Sequence, residues 1–179
     1  MCYTKTASGR CMRASAGCRN LFYQNHCRIP CGIHSVFSNT FIFDAENEGK
    51  EGYLYSLVTT SIIQGIKSIP VYVEADVSNG LPIFHMVGYL SSEVKEAAER
   101  VRSAVRNSGL EFPAKRVVIN LSPATMRKRG ASFDLPIAVA ILTSLGVLQQ
   151  NRRMKDCMII GELGLDGQVR KVPGILSMV

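Results

Sequence analysis

No stretch of this chain stays apolar for the roughly 18 consecutive residues that a membrane-spanning helix needs. The longest candidate, Leu135–Leu148, falls short of that and reads as protein core, so no membrane partner is expected. An apolar signal segment is missing too. Residues 1–28 mix Cys, Arg, Ser and Asn throughout, the expectation for a cytoplasmic protein. There is no G-x-x-x-x-G-K-[ST] loop and no G-x-G-x-x-G. The chain therefore lacks both common phosphate-cradling fingerprints, and nothing in it supports nucleotide hydrolysis by this chain alone. It has no internal repeats and no paired Cys-x-x-Cys.

What is present fits one domain plus an extra segment. The chain has 179 residues, 46% hydrophobic and 20% charged, ordinary for a globular protein. Five of its six cysteines, Cys2, Cys11, Cys18, Cys27 and Cys31, crowd the first 31 residues. A zinc site can be drawn from Cys18, Cys27, Cys31 and His34. The spacing lacks the short paired motif that makes such sites recognisable, so no metal site is expected. Residues 1–52 keep no period of two or 3.6 and read as a disordered leader, with one short strand possible at Ser35–Phe43.

From Tyr55 onward the pattern is regular. Ser56–Gln64 is rich in β-branched residues and predicts a strand. After a turn at 65–68, Ile69–Val77 alternates apolar and polar residues, a half-buried strand. Ser78-Asn79-Gly80 predicts a hairpin turn into a strand at Pro82–Val87. A helix capped by Ser91 or Ser92 follows to about Ser108, with Val94, Ala97, Ala98, Val101, Ala104 and Val105 on one stripe. Lys115–Leu121 and Cys157–Ile160 predict strands. Asp166-Gly167 turns the chain so that 168–172 pairs back. Nothing in the pattern closes the chain after Pro173-Gly174, and it reads as truncated.

The organising stretch is Leu121–Pro136, where the basic run Arg127-Lys128-Arg129 leads through Gly130 and Ser132 to Asp134 and Pro136. Pro136 suits a first helical turn, whose N–H groups have no intrahelical partner. Asp134 or Ser132 can cap that turn. The helix behind is apolar on almost every side, which predicts a central buried helix.

Net charge is +7, and nine basic residues lie between Lys95 and Arg129. This permits nucleic-acid contact without showing it. Ser132 is a candidate nucleophile beside a helix N-terminus, where free N–H groups can hold an anion. It needs a base, and His85 and Lys171 are the nearest candidates. Helix capping is the preferred account of Ser132, and a cap and dipole partner accounts fully for Asp134. A lone His85 among apolar residues is more often structural, and turn chemistry accounts for Asp166-Gly167.

Residues 53–179 closely resemble the N-terminal domain of the magnesium-chelatase-like AAA+ ATPases, the YifB/ComM family. The matching runs are 73–82 (VEADVSNGLP), 94–96 with 99–102 (VKE, ERVR), and 107–109 with 111–113 (NSG, EFP). They continue through 120–124 (NLSPA), 130–138 (GASFDLPIA) and 161–167 (GELGLDG). Residues 1–52 match nothing in that family. The resemblance implies a Lon-protease-like α/β fold, a mixed sheet packed with two main helices. It puts Ser132 at the nucleophile of Lon-type proteases and leaves Leu176 near the position of their catalytic lysine. Leucine is no base, so the dyad is broken.

The family's ATPase module, with its ATP and Mg, would follow this domain and is absent from the sequence. The resemblance further implies a hexameric ring that drives branch migration of DNA during recombination. Arg100, Arg102, Arg106, Arg127, Lys128 and Arg129 are then the candidates for DNA or subunit contact. The first expectation is a non-catalytic N-terminal domain serving assembly and DNA handling, without a cofactor of its own. The alternatives are a Lon-type serine peptidase using Ser132 and a purely structural oligomerisation module.

Overall fold

The computed structural model describes residues 3–5, 11–12, 55–150 and 152–178. Its largest unit is a hairpin of β3 (Tyr55–Gln64) and β4 (Lys67–Ser78), paired in register from Tyr55↔Asp76 to Gln64↔Lys67. The turn is only Gly65-Ile66, tighter than the 65–68 expected from sequence. Gly65 takes φ 64°, which a residue without Cβ adopts freely. Val58, Val71, Val73, Ala75 and Val77 are buried on one face. Pro70 is tolerated inside β4 because only Tyr72–Ser78 of that strand pairs on the far side, with β6 (Arg116–Ser122).

The turn at Ser78-Asn79-Gly80 does not make a hairpin. β5 (Ile83–Val87) reverses direction but pairs in parallel with β6, which inserts between β4 and β5. Ser78 and Ile83 both sit opposite Arg116, on its two sides. The four residues between them span one strand's width, two spacings or roughly 10 Å. Asn-Gly thus marks the reversal correctly, while the partner, Arg116 opposite Ile83, comes from 33 residues further along. The full order is β2-β1-β7-β3-β4-β6-β5, with β1 (Tyr3–Lys5), β2 (Cys11–Met12) and β7 (Cys157–Met158) on the far side of β3. Two short strands of the expected leader therefore belong to the sheet. Cys18, Cys27, Cys31, His34 and the Ser35–Phe43 stretch lie outside the described residues.

The crossover from β5 to β6 carries α1 (Ser92–Lys95) and α2 (Ala97–Asn107), where one continuous helix was expected. At the break, the Glu93 carbonyl accepts a hydrogen bond from the Arg100 guanidinium at 2.8 Å. A side chain entering the i→i−4 ladder is a recognised cause of such a break. Val101, Ala104 and Val105 of α2 are buried.

Helix α3 (Asp134–Ser144) is buried at every position, as its all-round apolar character predicts. It lies on the inner face of β3 and β4, and α2 covers its other side. α4 (Arg152–Lys155) leads into β7, which is shorter than the expected 157–160. β8 (Glu162–Leu163) and β9 (Val169–Arg170) form a separate ribbon about the Asp166-Gly167 turn. A short helix, α5 (Ile175–Met178), follows Gly174 where no element was expected. Its Met178 carbonyl accepts from Ser61 Oγ at 3.2 Å and Ser68 Oγ at 2.8 Å, which fastens it to the hairpin. The molecule is a mixed α/β fold, one mixed sheet packed with two main helices. No helix among the described residues is long and apolar enough to cross a membrane.

A seam of hydroxyls joins the sheet to α3. Ser56 Oγ donates to the Ala140 carbonyl at 2.7 Å, and Ser144 Oγ bonds the Ala75 carbonyl at 3.0 Å. Thr60 Oγ1 is buried in the same seam without a partner. An orphaned hydroxyl costs desolvation and returns nothing. Thr60→Val is therefore expected to stabilise the fold by about 1 kcal/mol, and Ser144→Ala to weaken it by a similar amount. Urea midpoints with unchanged slopes check both.

Candidate functional site

The basic loop is tied to the end of β5 by backbone bonds. Lys128 N–H donates to the Tyr89 carbonyl at 2.9 Å, and Ser91 N–H donates to the Lys128 carbonyl at 3.0 Å. Leu90 and Lys128 form a parallel bridge. Extended backbone alternates its side chains. Arg127 and Arg129 are accordingly exposed, while Lys128 turns inward and is fully buried. This corrects the expectation that all three cations share one contact surface. Lys128 Nζ donates to the Pro123 carbonyl and closes its own loop. Burial pushes the Lys128 ammonium below the ordinary lysine range.

Arg100 is likewise drawn inward. Its Nε donates to Asp134 Oδ2 at 2.7 Å and its Nη2 to Asp134 Oδ1 at 3.0 Å, a bidentate pair across 34 residues. Asp134 is fully buried and also accepts the Leu163 N–H at 3.4 Å. Burial raises the Asp134 carboxyl above its ordinary range, and Arg100 offsets only part of that. The hydrogen bond to Asp134 raises Arg100 in turn. Asp134 is thus an internal counter-ion rather than a helix cap.

The residue preceding α3 is Phe133, in helical backbone geometry and without a side-chain cap bond. The N–H groups of the first turn are nonetheless occupied. Asp134 N–H donates to Ala131 at 3.1 Å, Leu135 N–H to Gly161 at 3.0 Å, and Ile137 N–H to Phe133 at 3.0 Å. Pro136 has none to give. The expected anion cradle is absent from this turn, because a loop from the β7–β8 side already fills it.

Ser132 is buried, and its carbonyl accepts the Gly161 N–H at 3.2 Å. The bases proposed for it lie elsewhere. His85 is on the exposed face of β5, opposite the face where Phe84 and Met86 join the core. Lys171 is exposed beyond β9, and Leu176 is 92% exposed on α5. Among the described residues no cluster of His, Cys, Asp or Glu could hold a metal.

Of the remaining cations, Arg102 lies over Phe84 and Phe112, 5.9 and 5.6 Å from their ring centres, and pairs with Glu99 at 3.3 Å. Arg106 is exposed on α2. Arg127 sits 5.9 Å from the Tyr89 ring, and Glu93 is an acidic neighbour of both Arg127 and Arg129. Sequence reasoning overlooked Tyr89 and the two phenylalanines. Their signal was aromatic residues close in sequence to a strand end, legible only once the loop's position was known.

Breaking a buried ion pair strands a charge. Asp134→Asn and Arg100→Met are each expected to cost roughly 3 kcal/mol, the low end for such pairs because Arg100 keeps some contact with water. The double variant should cost clearly less than the sum, as a denaturant double-mutant cycle would read. Lys128 makes stability depend on pH. Its folded value lies below the 10.5 of a free lysine, so between the two the unfolded chain binds the extra proton. Stability therefore rises with pH across that window, and Lys128→Met should lack the rise in denaturant midpoints taken from pH 8 to 11.

The described geometry can be set beside known proteins. Residues 73–179 match the family described as subunit ChlI of Mg-chelatase. YifB of Escherichia coli is 46% identical over 122 residues, covering 68% of this chain and 24% of that protein. Competence protein ComM of Haemophilus influenzae is 40% identical over 124 residues, covering 69% of this chain and 24% of that protein. The chain spans about a quarter of the length of these curated relatives. The Arg100–Asp134 pair and the Gly130–Pro136 entry to α3 lie within the matched region. The chain belongs to the magnesium-chelatase-like family of ChlI, YifB and ComM.

Proposed function

We propose that this chain is the non-catalytic N-terminal domain of a magnesium-chelatase-like AAA+ ATPase that processes DNA in the cytoplasm, and that it contributes DNA contact and ring assembly. ATP and Mg would be bound by a module outside this sequence. One relative is named a competence protein, and the resemblance carried by 130–138 and 161–167 implies branch migration by a ring of subunits. The observation that carries the reading is the pair Arg127 and Arg129. Both are exposed on a loop whose backbone is bonded to Tyr89 and Ser91 and whose middle residue, Lys128, is anchored inside. Two outward cations on a rigid support suit phosphate contact. Arg102 and Arg106 extend the same charge along α2, whereas Arg100 and Lys128 hold the scaffold.

The peptidase alternative is weakened by three features of Ser132. It is buried, the first turn of α3 offers no spare N–H, and neither His85 nor Lys171 is placed to activate it. The pure assembly alternative makes no use of the outward arginines.

The test is charge reversal. Arg127→Glu with Arg129→Glu is expected to lower DNA affinity by at least roughly tenfold and to flatten the salt dependence by about two units of log–log slope, one for each phosphate that an arginine no longer neutralises. Fluorescence anisotropy across a salt series reads both. Unchanged affinity and slope would sink the DNA reading. A fluorophosphonate serine probe should leave Ser132 unlabelled, and labelling would restore the peptidase.

A further inference from the structure

We propose that the face built by Tyr89, Arg127 and Arg129 takes single-stranded DNA rather than duplex, with Tyr89 as the stacking platform for one unpaired base. The inference rests on the DNA-contact reading above and narrows it.

Tyr89 is 53% exposed, yet its backbone is tied down. Its carbonyl accepts the Lys128 N–H, and the next residue, Leu90, is buried and bridged to Lys128. Just before it, Gly88 adopts φ 130°, and a Cβ there would lie 2.9 Å from the Leu121 carbonyl oxygen. Only glycine lets the chain pass so close to β6 and then turn outward. The ring is thus presented on a stiff mount rather than on a loose loop. Arg127 lies 5.9 Å from the ring centre and Arg129 is exposed on the same loop.

An exposed aromatic ring with an arginine over one face and a second arginine on the same loop is a pairing that single-stranded nucleic acid rewards: a base stacks on the other face and phosphates meet the cations. A duplex keeps its bases in its own stack, so it would gain from the arginines and nothing from the ring. The strand edge leading to Tyr89 fits the same partner. Residues 81–89 contain no Asp or Glu, and Leu81, Ile83 and Val87 are exposed along it. A backbone of phosphates meets no opposing charge there. Glu93, whose carboxylate both arginines act on, is itself exposed, where a phosphate can displace it.

The experiment uses the full chain and dye-labelled oligo(dT) of on the order of 15 nucleotides, within the span such grooves cover, with a duplex of equal length beside it. Oligo(dT) is expected to bind more tightly than the duplex. Tyr89→Ala should weaken oligo(dT) roughly 5- to 100-fold and leave the duplex unchanged, and Tyr89→Phe should restore binding because the ring suffices for stacking. Arg127→Gln should weaken both. If duplex binds as well as oligo(dT) and Tyr89→Ala weakens neither while Arg127→Gln weakens both, the single-strand assignment is overturned and the DNA-contact reading stands. If neither probe binds the unaltered chain, both fall. Tighter binding of oligo(rU) than of oligo(dT) would overturn the assignment to DNA. A thermal midpoint for Tyr89→Ala equal to that of the unaltered chain attributes its loss of binding to the ring.

Discussion

A carboxylate shut away from water needs a cation within reach, and Asp134 finds it in Arg100. The bidentate contact ties the start of the central helix α3 to α2, and through the Glu93 carbonyl it sits at the break between α1 and α2. Asp134 also receives the Leu163 N–H, so the β8–β9 ribbon is fastened to the same point. Coulombic attraction at that depth is strong, but desolvation opposes it, and the raised position of the Asp134 carboxyl records the contest. The pair is better understood as a device that fixes one arrangement of three elements than as a large net source of stability. Without it, an acid in the first turn of a wholly buried helix has no physical justification.

That constraint explains why the helix entry is full rather than open. Once Asp134 faces Arg100, Gly161 closes over the N-terminus, receiving the Leu135 N–H and donating to the Ser132 carbonyl. A Cβ at Gly161 would lie 2.8 Å from Leu135 Cδ2, so the fit depends on glycine there. The same closure buries Ser132 and removes the N–H donors that would stabilise an oxyanion. The serine before α3 thus sits in a filled helix entry rather than an open one. Arg127 and Arg129, with Tyr89, are left at the rim. Family membership, shown over residues 73–179, sets the frame in which these groups are to be understood.

Much of the fold was legible from residue pattern. The alternation of Val71, Val73, Ala75 and Val77 predicted β4, and the unbroken apolar run after Pro136 predicted a buried helix. These succeeded because local period and burial are coupled directly. The hairpin at Asn79-Gly80 failed because a turn signal states where the chain reverses, not which strand arrives beside it. The candidate site was less legible. Three cations in a row look alike in sequence, and the inward turn of Lys128 follows from a bridge to Leu90, 38 residues earlier.

By itself, the sequence determined the family, the two principal helices, most strands and the lack of a nucleotide-binding loop. Those properties rest on local motif and period, which need no knowledge of what packs where. Tertiary structure alone decided that β6 separates β4 from β5, that Arg100 and Lys128 are scaffold, and that Arg127 and Arg129 are surface. The reason is that burial, ion pairing and desolvation depend on distances between residues far apart in the chain. Arg100 and Asp134 are 34 positions apart, and only the fold brings them to 2.7 Å.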